Sequence, residues 1–380
     1  MSNPAFPSET STSRLLCLDV LRGITIALMI LVNNNGDEAH SYWPLRHSLW
    51  NGCTPTDLVF PTFLFLVGIS LVFSTESRLA QGQSKSSLLS HTVRRTAILI
   101  LLGLLVNGFP FFHWTTLRIY GVLQRIALCY LLGSLIYLAS RRVQDKVLLL
   151  AAILLGYWAL MRWIPVPGYG LPGHAIPFLD KDANWVAWLD RHIFPGRLYE
   201  GTRDPEGLLS TFPALGTTLI GILTGIWLRT KKYTPQKIAW GLLLAALFGL
   251  TSGWVWSLWF PLNKKLWTSS YVLYAAGWSL LTLAALYWWI EIQQKRRGLG
   301  PWLVFGKNSI FCYVFAELFQ AGLTSIRTGN YPTVQRDIFF HMERFLPSPP
   351  IASLAYALCM VVFCWAVASV LYRRRIFLKV

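Results

Sequence analysis

Leu15-Leu-Cys-Leu-Asp-Val-Leu-Arg-Gly-Ile-Thr-Ile-Ala-Leu-Met-Ile-Leu-Val-Asn33 is a run of 19 residues in which only Asp19 and Arg22 carry charge. At 1.5 Å per residue it makes a helix about 28 Å long, close to the hydrocarbon thickness of a bilayer. Comparable apolar stretches recur near 57–74, 93–111, 118–139, 146–163, 209–228, 237–255, 270–290, 301–325 and 351–371. In lipid a backbone must satisfy its own hydrogen bonds, so these stretches predict an all-α polytopic membrane protein, with about ten transmembrane helices in one bundle. Composition agrees. The chain has 380 residues, 54% hydrophobic and 13% charged, whereas a soluble domain carries about 25% charged residues. A water-soluble fold is excluded. The net charge of +17 sits in short clusters between apolar runs, which fits membrane topology and not nucleic-acid binding.

With the N-terminus inside, the inner connections hold 19 Lys and Arg, from Arg14 through the clusters Arg94-Arg95, Arg141-Arg142, Lys231-Lys232 and Lys295-Arg-Arg297 to Arg373-Arg-Arg375 and Lys379. The outer connections hold 12 over much longer stretches, so both termini are expected on the cytoplasmic side. Residues 1–14 then form a cytoplasmic tail, 15–372 a single transmembrane domain with long outer loops at 34–56, 164–208 and 326–350, and 373–380 a basic tail. The first span carries Asp19 and Arg22, so it reads as a retained helix and not a cleaved signal. In the second outer loop, Trp185, Trp188, Leu189 and Phe194 fall near one helical face, as in an interfacial helix or a sugar platform. Of the six cysteines, all but Cys53 lie in apolar runs, and neither a disulfide framework nor a zinc site is expected. His-Glu-x-x-His, P-loop and Gly-x-Ser-x-Gly motifs are absent.

Charged groups inside spans are costly unless paired or facing a wet cavity. Asp19 and Arg22, three apart, can pair locally. Arg125 follows Gln124 in the fourth span, and Lys307 and Asn308 open the ninth, with Glu317 further along. They can line a cavity that receives an anion, or pair with carbonyls and acids of neighbouring helices. The densest polar stretch runs from Asn33 to Asp57 and includes Asn33-Asn-Asn-Gly-Asp-Glu38 and His47-Ser-Leu-Trp-Asn-Gly52. His47 lies between Trp43 and Trp50, where partial desolvation and a nearby carboxylate can tune an imidazole near neutral pH. It is the candidate general base or nucleophile.

Several stretches in order resemble the heparan-α-glucosaminide N-acetyltransferase family. They are Leu18-Asp-Val-Leu-Arg-Gly23, His47 with Trp50-Asn-Gly52, Asp57-Leu-Val-Phe-Pro61 with Gly68, Gly121-Val-Leu-Gln-Arg125, Asp204-Pro-Glu-Gly207, Pro261-Leu-Asn-Lys264 with Leu266-Trp267, and Lys307-Asn-Ser-Ile310. The resemblance implies a transmembrane acyltransferase that moves an acetyl group from cytoplasmic acetyl-CoA to the amine of an amino sugar or glycan acceptor beyond the membrane. It places the active-site histidine at His47 and a nearby asparagine at Asn33. Asp57 is then the residue to orient the imidazole, and Gln124, Arg125, Lys307 and Asn308 are carried over as acyl-donor-binding candidates. The implied setting is the bacterial inner membrane. The chain departs from the lysosomal member in its Asn34–His40 segment and in the luminal domain expected before the first span there, so the acceptor identity stays open. An amino sugar or a cell-wall or polysaccharide fragment is expected ahead of heparan sulfate. Oligomeric state is open, a homodimer included. The competing reading is a transporter of N-acetylglucosamine or muropeptides, and a third is a membrane protein without a ligand.

Overall fold

The computed structural model describes residues 15–193, 197–230, 232–329 and 331–378. Phe194, Lys231, Lys379 and the 1–14 tail with Arg14 lie outside the described residues. Among the described residues the secondary structure is helical, with two isolated bridges and no strand. The membrane-length helices are α1 (Leu16–Asn33), α2 (Val59–Ala80), α3 (Lys85–Gly108), α4 (Val122–Ala139) and α5 (Val143–Trp163). After a short α6 (Trp185–Ile193) come α7 (Thr211–Arg229), α8 (Pro235–Trp256) and α9 (Ser269–Tyr287), then α10 (Gly300–Lys307), α11 (Ser309–Ser325), a short α12 (Val334–Phe345) and α13 (Pro349–Arg373). Nine of the described helical segments are long and apolar enough to cross a bilayer, and α10 with α11 makes a tenth. The chain is an integral multi-pass membrane protein.

The ninth span departs from the sequence expectation of one helix over 301–325. It breaks by 82° between α10 and α11. The break falls at Asn308, whose backbone leaves the helical region at φ −123° and ψ 37°. Its side chain binds the C-terminal segment instead: Nδ2 donates to the Ile376 carbonyl at 3.1 Å, and Oδ1 accepts from Leu378 N at 2.9 Å. Lys307 beside it stands over the rings of Tyr372 and Phe377. The polar pair at the break thus ties the C-terminal segment to the bundle, and its own side chains are satisfied by protein, as polar groups at an interruption within a bilayer must be.

Helices close on one another where glycine removes the Cβ. A Cβ at Gly68 on α2 would lie 2.1 Å from the Thr218 carbonyl oxygen on α7, and one at Gly221 would lie 2.1 Å from the Phe65 carbonyl oxygen. The α2–α7 pairing is among the most extensive in the molecule, as close approach of small residues allows. Gly23 and Gly306 hold α1 against α10 in the same way. Arg22 on that seam pairs with Asp19 at 2.9 Å and donates to Ser70 Oγ at 2.8 Å, so the charged pair of the first span is satisfied within the bundle.

The connections assigned outward by charge gather at one end of the bundle. Gly36 O accepts from Gln335 Nε2 of α12 at 2.8 Å, Trp50 Nε1 donates to the Leu179 carbonyl at 2.8 Å, and Gly52 N donates to the Leu262 carbonyl at 2.7 Å. In α6 the residues turned inward are Val186, Ala187 and Asp190, while Trp185 and Trp188 stay half-buried and meet edge to face. The aromatic side is thus the outer side of this helix.

Candidate active site

A cavity of about 460 Å³ opens among these connections. It is of the size of small-molecule sites. Asn33, His47, Asp57, Arg118, Glu206, Lys264 and Glu317 lie in its wall, over an apolar floor that includes Met29, Val59, Phe60 and Val122. Three candidate residues that lie up to 24 positions apart in sequence therefore share one space with others drawn from four further parts of the chain.

Asp57 is the fixed point. It stands in a short 3-10 turn, Pro55–Leu58, which closes a reciprocal cap with Thr54, and it is fully buried. Its Oδ2 accepts from Ser48 N at 3.1 Å, Thr54 N at 3.0 Å and Thr54 Oγ1 at 3.0 Å. Its Oδ1 lies 2.7 Å from His47 Nδ1. An ionised carboxylate only accepts, so His47 Nδ1 carries the hydrogen and Nε2 keeps the lone pair. His47 itself is half-buried.

Lys264 completes the cluster. Its Nζ lies 3.0 Å from His47 Nδ1, 3.3 Å from Nε2 and 3.8 Å from Asp57 Oδ1. It arrives there because the 46–54 and 261–268 connections are tied: Gly52 N to Leu262 O, and Asn263 Nδ2 to Asn51 Oδ1 at 3.1 Å. Gly52 has φ +117°, a conformation a side chain resists. Burial pushes the His47 imidazole below its usual 6.5 and the Lys264 charge pushes the same way, against the Asp57 carboxylate. Burial also lowers Lys264 from the ordinary lysine range, with Asp57 opposing. The histidine is thus held neutral, and ready to accept a proton, at neutral pH.

Another part of the wall is a charge-paired clamp. Arg118 donates to both carboxylate oxygens of Asp204, at 2.7 and 2.6 Å, and to Glu206 Oε2 at 2.6 Å. Asp204 also accepts from the backbone N–H groups of Tyr199 and Glu206. The Asp204-Pro-Glu-Gly207 run is therefore a rigid turn around one guanidinium, whose cation character further stabilises Tyr199 packed on it. Lys265 pairs with Glu200 at 2.6 Å. Asn33, at the end of α1, donates through Nδ2 to Glu317 Oε1 at 3.0 Å. One of its two amide hydrogens remains for a ligand.

The other four sequence candidates lie elsewhere. Arg125 is fully buried, donates to the Gly207 carbonyl at 3.1 Å and to Ser210 Oγ, and stands over the Trp267 ring. Gln124 is buried against the backbones of Gly103 and Gly121. Lys307 and Asn308 hold the C-terminal segment, as described above. None of the four lines the cavity. Among the described residues no group of three His, Cys, Asp or Glu side chains is placed to hold a metal ion.

Residues 14–261 match the family described as heparan-alpha-glucosaminide N-acetyltransferase, catalytic. The chain belongs to this family. That match takes in Asn33, His47, Asp57, Arg118 and Glu206, and stops short of Lys264 and Glu317. Two similar proteins carry the name heparan-alpha-glucosaminide N-acetyltransferase: one from Homo sapiens, 30% identical over 97% of this chain, and one from Mus musculus, 29% identical over 98% of it. The chain spans about 60% of the length of these curated relatives.

Proposed function

We propose that this member of the heparan-alpha-glucosaminide N-acetyltransferase family transfers an acetyl group from acetyl-CoA to the amine of a glucosamine-like sugar. The observation that carries the reading is His47, held by Asp57 and flanked by Lys264, in the wall of a cavity of about 460 Å³. The amine nitrogen attacks the thioester carbonyl carbon and gives a proton to His47 Nε2. The carbon–sulfur bond breaks as the carbonyl re-forms, the coenzyme thiolate leaves, and the proton on His47 passes to it. Asp57 stabilises the imidazolium formed in between. Lys264 Nζ and the remaining Asn33 N–H supply positive charge where the oxyanion develops.

In this proposal the cavity lies on the extracytoplasmic face, because the connections around it are those poor in Lys and Arg for their length, and both termini are cytoplasmic. The membrane is the bacterial inner membrane. Arg125 serves by fixing α4 against the 207–210 turn, Gln124 by packing on Gly103 and Gly121, and Lys307 and Asn308 by anchoring the C-terminal segment at the break before α11. Purified protein supplied with labelled acetyl-CoA and glucosamine is expected to form labelled N-acetylglucosamine. In sealed vesicles, product should form with donor and acceptor in opposite compartments. A requirement for both on the same side would refute the sidedness, and no transfer in detergent would refute the reaction.

A further inference from the structure

The cavity wall contains more carboxylate than its cations neutralise. Arg118 is engaged by Asp204 and Glu206, Lys265 by Glu200, and Lys264 by Asp57 and His47. Glu317 has no such partner: among the described residues it forms no ion pair, and its hydrogen bond is to the neutral amide of Asn33. It stands one turn after Tyr313 on α11, so both side chains reach the cavity from one helical face, beside Met29 and Val32 of α1. Glu38 also lines the cavity without an ion pair among the described residues, but it is exposed to water, where its charge is screened. Glu317, a carboxylate in a partly apolar recess held by a neutral donor, is where the wall most favours a cation.

We propose that Glu317 selects the acceptor by charge: it receives the ammonium of an unacetylated amino sugar and loses its hold when acetylation makes that nitrogen a neutral amide. The inference rests on the acetyl-transfer reading of this cavity and names the residue that distinguishes substrate from product. Asn33 holds the carboxylate with one amide hydrogen and keeps the other for the sugar or the acyl oxygen. The ammonium is the entering form, and two protons leave it: one passes to solvent before the nitrogen can attack the thioester, and the second goes to neutral His47 Nε2 as the amide forms and from there to the leaving thiolate.

Calorimetric titration of the purified full chain with glucosamine and with N-acetylglucosamine, in the absence of any acetyl donor, tests this. At a pH where the glucosamine amine is protonated, wild type is expected to bind glucosamine at least about tenfold more tightly, the scale of one hydrogen bond to a charged group. Glu317→Gln keeps an oxygen for Asn33 Nδ2 and removes the charge, and should bind the two sugars alike. Glu317→Asp keeps the charge and should keep a preference for glucosamine. The wild-type protein provides a readout that needs no variant: its preference should vanish as the pH rises past the point where the amine is neutral. Equal binding by wild type, tighter binding of N-acetylglucosamine, or a preference that survives Glu317→Gln or amine neutralisation overturns the proposal. Selectivity of this kind in a protein that transfers no acetyl group would refute the reaction and leave the role of Glu317 standing. Transfer without such selectivity would do the reverse.

Discussion

Replacing Asp57 by Asn separates orientation of the imidazole from its mere presence. Oδ2 of Asp57 faces three donors, Ser48 N, Thr54 N and Thr54 Oγ1. An asparagine at this place must turn its carbonyl oxygen toward them, since its NH2 there would oppose two backbone N–H groups. Its NH2 then occupies the Oδ1 position, 2.7 Å from His47 Nδ1. That nitrogen must become the acceptor, the hydrogen moves to Nε2, and the base is lost on the side of the reacting amine. General-base assistance of this kind contributes about 100- to 10,000-fold, or about 3–5 kcal/mol in the barrier. Stability falls much less, by about 1–3 kcal/mol, because the hydrogen bonds persist and only their charge assistance is lost. The assay is single-turnover acetyl transfer to glucosamine, alongside thermal unfolding in the same detergent. A folded Asp57→Asn protein with kcat/KM within threefold of wild type would refute the assignment of Asp57 as the positioning group.

Lys264→Met removes a positive charge that depresses the His47 pKa. The acidic limb of kcat/KM, expected below pH 6.5 in wild type, should move to higher pH in the variant, and an unmoved limb counts against the contact. Gly68→Ala puts a methyl group 2.1 Å from the Thr218 carbonyl oxygen, so α2 and α7 must separate. A loss of about 1–3 kcal/mol or more is expected from thermal unfolding, and an unchanged midpoint contradicts the packing. Arg118→Lys cannot hold Asp204 and Glu206 together with a single ammonium. The acceptor KM should rise about tenfold and proteolysis within 197–207 should accelerate, whereas an unchanged KM with unchanged proteolysis argues against the clamp.

Much of this architecture is legible in the sequence because a bilayer imposes a length on every apolar run. The expected spans near 15–33, 209–228 and 351–371 correspond to α1, α7 and α13 within a few residues. The break at Asn308 is not legible in that way, since hydropathy averages across it; Lys307-Asn308 inside an apolar run is the signal that marks it. His47 and Asp57 are ten residues apart in one connection, so their meeting is a local matter of the Thr54–Leu58 turn. Lys264 meets His47 across 217 positions. No periodicity reports which of two connections will touch, and only the Pro261–Lys264 run hints that this loop carries more than topology. Glu317 is the sole acid of the ninth span, which marks it as costly without saying what it faces. Arg118 reads as one outer basic residue among twelve until the fold sets it against Asp204 and Glu206. Gln124 and Arg125 illustrate the opposite case: both stand outside the cavity wall, Arg125 bonded to the 207–210 turn and Gln124 packed on Gly103 and Gly121, a placement that membership of a motif does not report.

In the proposed reaction everything turns on the His47 imidazole carrying the proton during acetyl transfer. The most direct measurement is the single-turnover rate of labelled acetyl transfer to glucosamine by His47→Ala beside wild type, at saturating donor and with both proteins shown to be folded. A fall of about 100-fold or more, with the acidic limb of the pH profile abolished, is the expected result. A variant that keeps the wild-type rate and the wild-type pH profile would contradict the account.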